Sequence, residues 1–337
     1  MQPPDRPLVS VITPSYNQAY YLEVCIQSVL EQDYEPIEYL LYDGGSTDGS
    51  REIVEKYALL LAHWETGKDL GQADAINKGL RRARGEFVAW LNSDDAYLPG
   101  TISQAVDALT REPEVGMVYG DGLMVDSGLK LLDPHRYRQL DLTDLLSFEV
   151  ILQPATFMRR SVLEAAGYLD TDYHLILDHE LWVRMAARAP IRHVPQFWAL
   201  ERTHGAAKTI ARAGDFVVEA RRMLDQAQRD PSLSDSYEQA PRRIEAGFHV
   251  FSARRLIDAG PYRQAALHLI QAARLHPITV ARYWYKVLQA FGSAFGFDWL
   301  FIWYRSLRRR LQFRGAIIRP DLPAPVDQAG RFTGQQR

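Results

Sequence analysis

The sequence predicts an α/β protein: a mostly parallel sheet with helices on both faces, followed by an α-helical C-terminal region. Three observations predict it. Short apolar, β-branched runs alternate with segments of helical periodicity through the first 120 residues, the β-α-β-α order of a parallel sheet. Polar clusters follow three of these runs, at the strand ends where open α/β sheets bind ligands. After about residue 205 strand patterns give way to helical spacing.

The elements follow in order. Leu8-Val9-Ser10-Val11-Ile12 is a short β-branched run, a buried strand that stops at Thr13-Pro14-Ser15. Leu22, Ile26, Val29 and Leu30 recur at helical spacing, and Cys25 lies on that helix's core face. Glu38 to Tyr42 forms a second strand, ended by Asp43-Gly44-Gly45-Ser46-Thr47-Asp48-Gly49. Ser46 or Asp48 is placed to cap the next helix, whose inner face takes Ile53, Val54 and Tyr57. A helix from Ala73 to Ala83 stops at Gly85, and Phe87 to Leu91 is the third strong strand. Pro99-Gly100 opens another helix, followed by a strand from Val115 to Tyr119. From Leu123 the pattern changes: Asp126-Ser127-Gly128 reads as a hairpin turn, and Ile151 to Met158 as a strand interrupted by Pro154. Glu180 to Ala187 is helical and Phe197 to Arg202 extended. Ala265, Leu269 and Ala272 share one helix face between Gly260-Pro261 and Pro277, a single copy of a hairpin of the repeat type. The expected organisation is an α/β domain over 1–210, a helical region over 211–315 and a flexible tail over 316–337.

Composition narrows the class. At 337 residues, 47% hydrophobic and 24% charged, the chain can bury a core, which excludes global disorder. Cys25 has no partner for a disulfide framework and fits a reducing compartment. The start, MQPPDRP, lacks the apolar core of a signal peptide, and no stretch reaches 18 uninterrupted apolar residues. A cytoplasmic location is expected. The net charge of -3 hides an asymmetry: residues 1–200 carry 17 Lys and Arg against 30 Asp and Glu, whereas 201–337 carry 22 against 12. Either the two regions meet different partners, or they are unequal solvated surfaces.

Four runs then fall in a recognisable order: Val9 to Asn17 (VSVITPSYN), Tyr42 to Asp48 (YDGGSTD), Gly71 to Gly79 (GQADAINKG) and Trp90 to Asp95 (WLNSDD). A fifth, Leu177-Asp178-His179-Glu180-Leu181-Trp182-Val183-Arg184, follows. Over about residues 7–205 the chain resembles the family 2 inverting glycosyltransferases, which have the GT-A fold. Each motif alone is weak, and their order makes the match specific.

The resemblance implies transfer of a sugar from a nucleotide-sugar donor (UDP-, GDP- or dTDP-sugar) to a hydroxyl of a glycan or lipid-linked acceptor, as in polysaccharide or cell-envelope glycan synthesis. No nucleic-acid partner is expected. Such chemistry needs a seat for base and ribose, a cation on the diphosphate and a base for the attacking hydroxyl. The resemblance puts the nucleotide sugar at Thr13, Pro14, Tyr16 and Asp43, with Asp74, Asn77, Asn92 and Ser93 around it. Lys78 is within the same helical run, and Gln153-Pro154 borders the acceptor side. Asp94 and Asp95 stand at the family's metal-binding motif, as hard oxygen ligands for Mn²⁺ or Mg²⁺, with Asp94 the direct ligand and His204 completing the site. Asn92 replaces an aspartate that many relatives carry there. Asp178 matches the catalytic base, while Leu177 replaces the acid that precedes it in relatives. Each assignment has a plainer counterpart: a tight Asp-Gly turn at Asp43, a surface turn at Asp94-Asp95, a helix cap at Asp178. His63, His135 and His193 show no ligand spacing.

Two other functions compete. A nucleotidylyltransferase needs an early basic Gly-rich loop, which Pro14-Ser15-Tyr16 is not. A catalytically inactive nucleotide-sugar-binding module with a helical interaction domain is opposed by the intact Asp43, Asp94, Asp95 and Asp178. Finally, ten aromatics from Tyr283 to Tyr304 run into Arg305 and Arg308-Arg309-Arg310. They either pack onto the α/β domain or seat an amphipathic helix on an anionic membrane surface, peripheral at its inner face.

Overall fold

Seven consecutive residues, Val9–Ser15, are all buried and form β1, the centre of the parallel half of the sheet. The computed structural model describes residues 6–203, 212–313, 315–325, 331 and 333. β2 (Ile37–Asp43) and β4 (Phe87–Trp90) flank β1 in parallel, pairing Val11 with Tyr39 and with Ala89. A polar residue inside such a strand must find partners. Ser10 donates to Glu38 at 2.6 Å and accepts from the Gly85 amide at 2.8 Å, while Arg84 adds its amide and its side chain to Glu38.

The remaining strands are β3 (His63–Thr66), β5 (Ala96–Tyr97), β6 (Met117–Val125), β7 (Leu131–His135), β8 (Thr156–Arg159) and β9 (Ile191–Arg202). They complete a nine-stranded sheet in the order β3-β2-β1-β4-β8-β6-β9-β5, with β7 paired to β6. The parallel arrangement expected from the sequence holds from β3 to β4 and again between β6 and β9. β8 runs antiparallel to both β4 and β6, so the sheet as a whole is mixed. The strand expected over Ile151 to Met158 begins only at Thr156, because Gln153–Ala155 winds into one 3₁₀ turn around Pro154.

Seven helices pack around these strands: α1 (Ala19–Leu30), α2 (Ser50–Tyr57), α3 (Gln72–Arg82), α4 (Thr101–Arg111), α5 (Leu142–Leu146), α6 (Arg160–Ala166) and α7 (Leu177–Ala186). Then come α8 (Ala213–Ala227), α9 (Ser234–Gln239), α10 (Pro241–Ala259), α11 (Tyr262–Leu275), α12 (Pro277–Ala281), α13 (Trp284–Ala294) and α14 (Asp298–Phe313). Gly260 ends α10 at a φ of +104°, which a side chain would resist, and Pro261 turns the chain into α11.

Alternating β1 residues feed two cores. Val11 joins Tyr39, Leu41 and Ala89 on one face. Ile12 joins Leu40, Val88 and Trp90 on the other, and that cluster continues unbroken into Phe216, Leu224, Ile244, Phe248 and Phe251 of α8 and α10. Packing therefore does not divide at residue 210. A smaller core, with Ala253, Ile257, Leu269 and Ala290, holds α10 to α13 together.

At the C-terminus one expectation changes and one open alternative narrows. Residues 316–318, placed in a flexible tail, are tied to the β6–β7 hairpin: the Ala316 carbonyl accepts from the Leu131 amide at 2.8 Å, and Ile318 is buried. Most aromatics between Tyr283 and Tyr304 face water, whereas Phe313 at the end of α14 is buried in a cluster with Ala96, Leu123 and Leu131 of the sheet. Trp284, Phe295, Phe297, Trp299, Trp303 and Tyr304 are all exposed.

Candidate active site

The ends of β1 and β2 are stitched into one surface. Asn17, in a left-handed conformation, accepts from the Thr47 amide, and its own amide donates to the Ser46 hydroxyl. Asp48 reaches across to accept from the Ala19 amide at the start of α1 and from Ser50, which holds its carboxyl below the usual range against the opposing effect of burial. Asp43 ends β2, buried, with Oδ2 accepting from the Gly45 and Ser46 amides and from Thr66 at 2.6 Å. Among the described residues its Oδ1 accepts only the Ser46 hydroxyl, so one carboxylate edge retains acceptor capacity. Tyr16 is exposed beside it, its ring near Gly44; a Cβ on Gly44 would lie 2.8 Å from the Asp69 carboxylate. Asp74 accepts from the Leu70 amide and pairs with Lys78 at 3.5 Å, folding the same loop onto α3.

The end of β4 carries the second group. Asn92 links an amide chain, accepting from Gln72 at 3.0 Å and donating to Gln153 at 2.9 Å, while Gln153 donates to the Trp90 carbonyl. Asp94 is partly exposed; Ser93 and Asp95 are buried. Asp95 turns inward to accept from the Arg202 amide at 3.0 Å, and the Arg202 side chain donates to the Asp94 carbonyl while lying over the Tyr21 ring. Burial, then the charges of Asp94 and Glu201, push the Asp95 carboxyl well up. Glu201 is raised by burial as well; Asp94 adds to this, while His135, 3.6 Å away, and Arg255 oppose it. Carboxylates crowded in this way favour a shared proton or a cation.

Asp178 supplies the third group, in the first turn of α7. The helix is anchored on the sheet by Trp182, stacked on Trp90 at 5.0 Å, and on α5 and the residues after it by His179, whose ring meets the Leu145 carbonyl and stacks on Phe148. Asp178 is partly exposed and accepts from the His179 amide. Burial raises its carboxyl; that amide and the Arg255 charge oppose the rise, and Glu201 adds to it. Asp178, Glu201 and Asp94 thus form a chain of interacting carboxylates from α7 to the end of β4.

The helical region reaches this site. Glu219 of α8 is buried and accepts from the amides of His174, Leu175 and Ile176, at 2.9 to 3.2 Å, directly before Asp178. Glu201, Glu219, Arg255 and His135 were not anticipated. Glu201 lies on a strand the sequence does show, but Glu219 and Arg255 sit in amphipathic helices with no motif around them.

Two expected residues are engaged elsewhere. The Thr13 hydroxyl points into the core, 3.0 Å from the Tyr39 hydroxyl. Asn77 is buried and pairs both ways with the Leu169 backbone, as a clamp rather than a crevice group. Pro14 is buried at the end of β1. His204 lies outside the described residues. His193 is bonded to Asp121 at 2.8 Å, and the Cys25 thiol is buried and pushed up to about 12.

Comparison with known proteins adds four findings. A family model described as glycosyl transferase family 2 matches residues 10–167. The putative teichuronic acid biosynthesis glycosyltransferase TuaG of Bacillus subtilis is 36% identical over 131 residues, 37% of this chain and 51% of that protein, so the chain spans about half of its length. An uncharacterised glycosyltransferase of Mycobacterium tuberculosis is 31% identical over 185 residues, covering 53% of this chain and 69% of the relative. Among solved structures, the mannosyltransferase PcManGT from Pyrobaculum calidifontis, in complex with GDP-Man and Mn²⁺, aligns with a TM-score of 0.60 at 22% identity, over 92% of this chain and 88% of that one. That likeness shows a shared fold, the GT-A arrangement expected from the motifs.

Proposed function

The chain belongs to glycosyl transferase family 2, and from that premise we propose that it transfers a sugar, with inversion, from a nucleotide-sugar donor to an acceptor hydroxyl. The observation that carries the reading is the position of Asp178: partly exposed, raised in proton affinity, and linked through Glu201 to Asp94. A general base works best when its pKa approaches the working pH, and burial moves Asp178 in that direction. It takes the acceptor proton as the hydroxyl oxygen attacks the anomeric carbon, and the bond from that carbon to the diphosphate oxygen breaks. Tyr16 and Asp43 seat the base and ribose, with Asp74 and Asn92 bracing the loops beside them.

Asp94 is the residue to hold a divalent cation, with Asp95 buried behind it and Glu201 nearby. Among the described residues no group of three or more His, Cys, Asp or Glu is arranged to hold a metal. A single carboxylate completed by donor phosphates suits Mg²⁺ or Mn²⁺, which commonly bind in that way. When bound, the cation neutralises charge on the leaving diphosphate. His204 remains a candidate second ligand.

The acceptor is a glycan or lipid-linked glycan of the cell envelope, a reading supported by the named role of TuaG. The work site is an anionic membrane surface, supported by the exposed aromatic face of α13 and α14. Among the described residues no helix is long and apolar enough to cross a membrane.

The test is a thermal-shift screen with UDP-, GDP- and dTDP-sugars, with and without Mn²⁺, followed by turnover on the donor that stabilises. Asp94→Asn should remove turnover and the Mn²⁺-dependent part of the stabilisation while leaving the fold intact. Binding without turnover by the unaltered protein, across acceptors, would favour the inactive binding module instead.

A further inference from the structure

We infer that the Arg255 guanidinium forms an anion subsite beside Asp178, receiving a phosphate or carboxylate oxygen of the substrate. The inference rests on the glycosyltransferase reading and adds a residue that the family motifs do not contain. α10 holds Arg255 against two rings, Phe216 at 4.6 Å and Phe251 at 5.0 Å. Phe251 stacks on Phe148 at 4.8 Å, and Phe148 stacks on His179, the neighbour of Asp178, at 5.2 Å. The guanidinium acts electrostatically on both Asp178 and Glu201, and they act on it in return.

Unlike several other partly buried arginines, Arg255 has no side-chain hydrogen bond or ion pair among the described residues. Arg184 is bonded to Glu180, Arg202 to Asp94, Arg221 to Glu245 and Arg243 to Asp144. Its direct contacts among the described residues are with rings, while the charges of Asp258, Asp178 and Glu201 act on it at longer range. A guanidinium carries five N–H donors in a planar fork matched to phosphate and carboxylate. Arg255 is partly buried, which weakens its hydration without supplying a partner, and that burial depresses its hold on the proton. A substrate anion supplies the missing partner and holds that substrate near the base without neutralising Asp178. The anion is either the donor's diphosphate or an acidic group on the acceptor.

Calorimetry on the full chain separates these sources, with UDP and GDP (each with Mn²⁺) as donor probes, and inorganic phosphate and glucuronate as acceptor-side probes. Arg255→Gln should weaken one class at least tenfold, with Arg255→Lys intermediate. Weaker UDP or GDP binding assigns the subsite to the diphosphate; unchanged nucleotide binding with lost phosphate or glucuronate binding assigns it to the acceptor. In the unaltered protein, phenylglyoxal should modify Arg255, and the bound probe should protect it, read by peptide mass spectrometry. This second measurement holds even where the substituted chain folds poorly. Affinities unchanged within twofold for all four probes, or no protection, would make Arg255 a stacking residue only. Should the unaltered protein bind neither of these nucleotides nor dTDP, the transferase reading fails, while protection by phosphate or glucuronate still reports on the subsite.

Discussion

Asp178 is held between opposing influences. The first turn of α7 and the His179 amide favour its carboxylate, and burial favours its acid form; burial prevails. A folded-state pKa above the unfolded value means that stability is fullest below the unfolded pKa and falls as pH rises through the folded one. At neutral pH the ionised Asp178 therefore opposes folding. Asp178→Asn should leave the melting temperature equal or higher and donor binding intact, while turnover falls about 10²–10⁴-fold. Loss of donor affinity with transfer per bound donor retained would make Asp178 a binding residue. The acid limb of the kcat/KM profile should lie above the ordinary aspartate value of about 3.9. Glu219 acts one step back, on the amides of residues 174–176. Glu219→Gln should lower kcat several-fold with donor affinity unchanged, and Glu219→Ala should cost about 1–3 kcal/mol in urea unfolding by orphaning those amides. An equal loss in KM would show that Glu219 supports the nucleotide seat instead.

Among the elements, those with strong local signals were legible and those made by tertiary context were not. β1, β2 and β4 announce themselves because central strands are buried on both faces and must be apolar throughout. β3 did not: His63–Thr66 is a four-residue edge strand with no apolar run. β8 was mislaid because Pro154 winds the residues before it. At the site, Asp43, Asp94 and Asp178 were readable as polar residues at strand and helix ends. Thr13 and Asn77 were not separable from them, since which way a side chain turns depends on neighbours such as Tyr39 and Leu169, distant in sequence. The close fit of α10 was also invisible. A Cβ on Gly247 would lie 2.1 Å from the Ser147 carbonyl oxygen, so a glycine there lets the helix meet the segment that carries Phe148. Gly247→Ala should lower stability by about 1–3 kcal/mol despite the better helix propensity of alanine, measured as a drop in melting temperature.

For the whole molecule, the charge asymmetry has two components. Part is internal: Arg222 pairs with Asp172, Arg243 with Asp144, and Arg308 and Arg309 with Asp133, each joining the basic half to the acidic half. Two of the three consecutive arginines are thus engaged as clamps, and the surface term rests on residues such as Arg305 and Arg310. The apolar component is larger than the sequence suggested. Along α14, Trp299, Trp303 and Leu311 are 62%, 56% and 71% exposed, and Leu300, Tyr304 and Leu307 fill the positions between them on one helical stripe. A stripe of that kind facing water marks an interaction surface. Its aromatic content with flanking arginines fits the bilayer interface, where each basic group near anionic lipid is worth about 1 kcal/mol. The full chain should sediment with anionic vesicles, more at higher anionic content and less at high salt. Trp299→Ser with Trp303→Ser should abolish binding while leaving the melting temperature unchanged, because both side chains already face water. Arg308→Gln with Arg309→Gln should instead lower the melting temperature, because it breaks the pairs with Asp133. Retention in the supernatant at low salt, with a doubled mass in light scattering, would assign the stripe to a second copy of the chain.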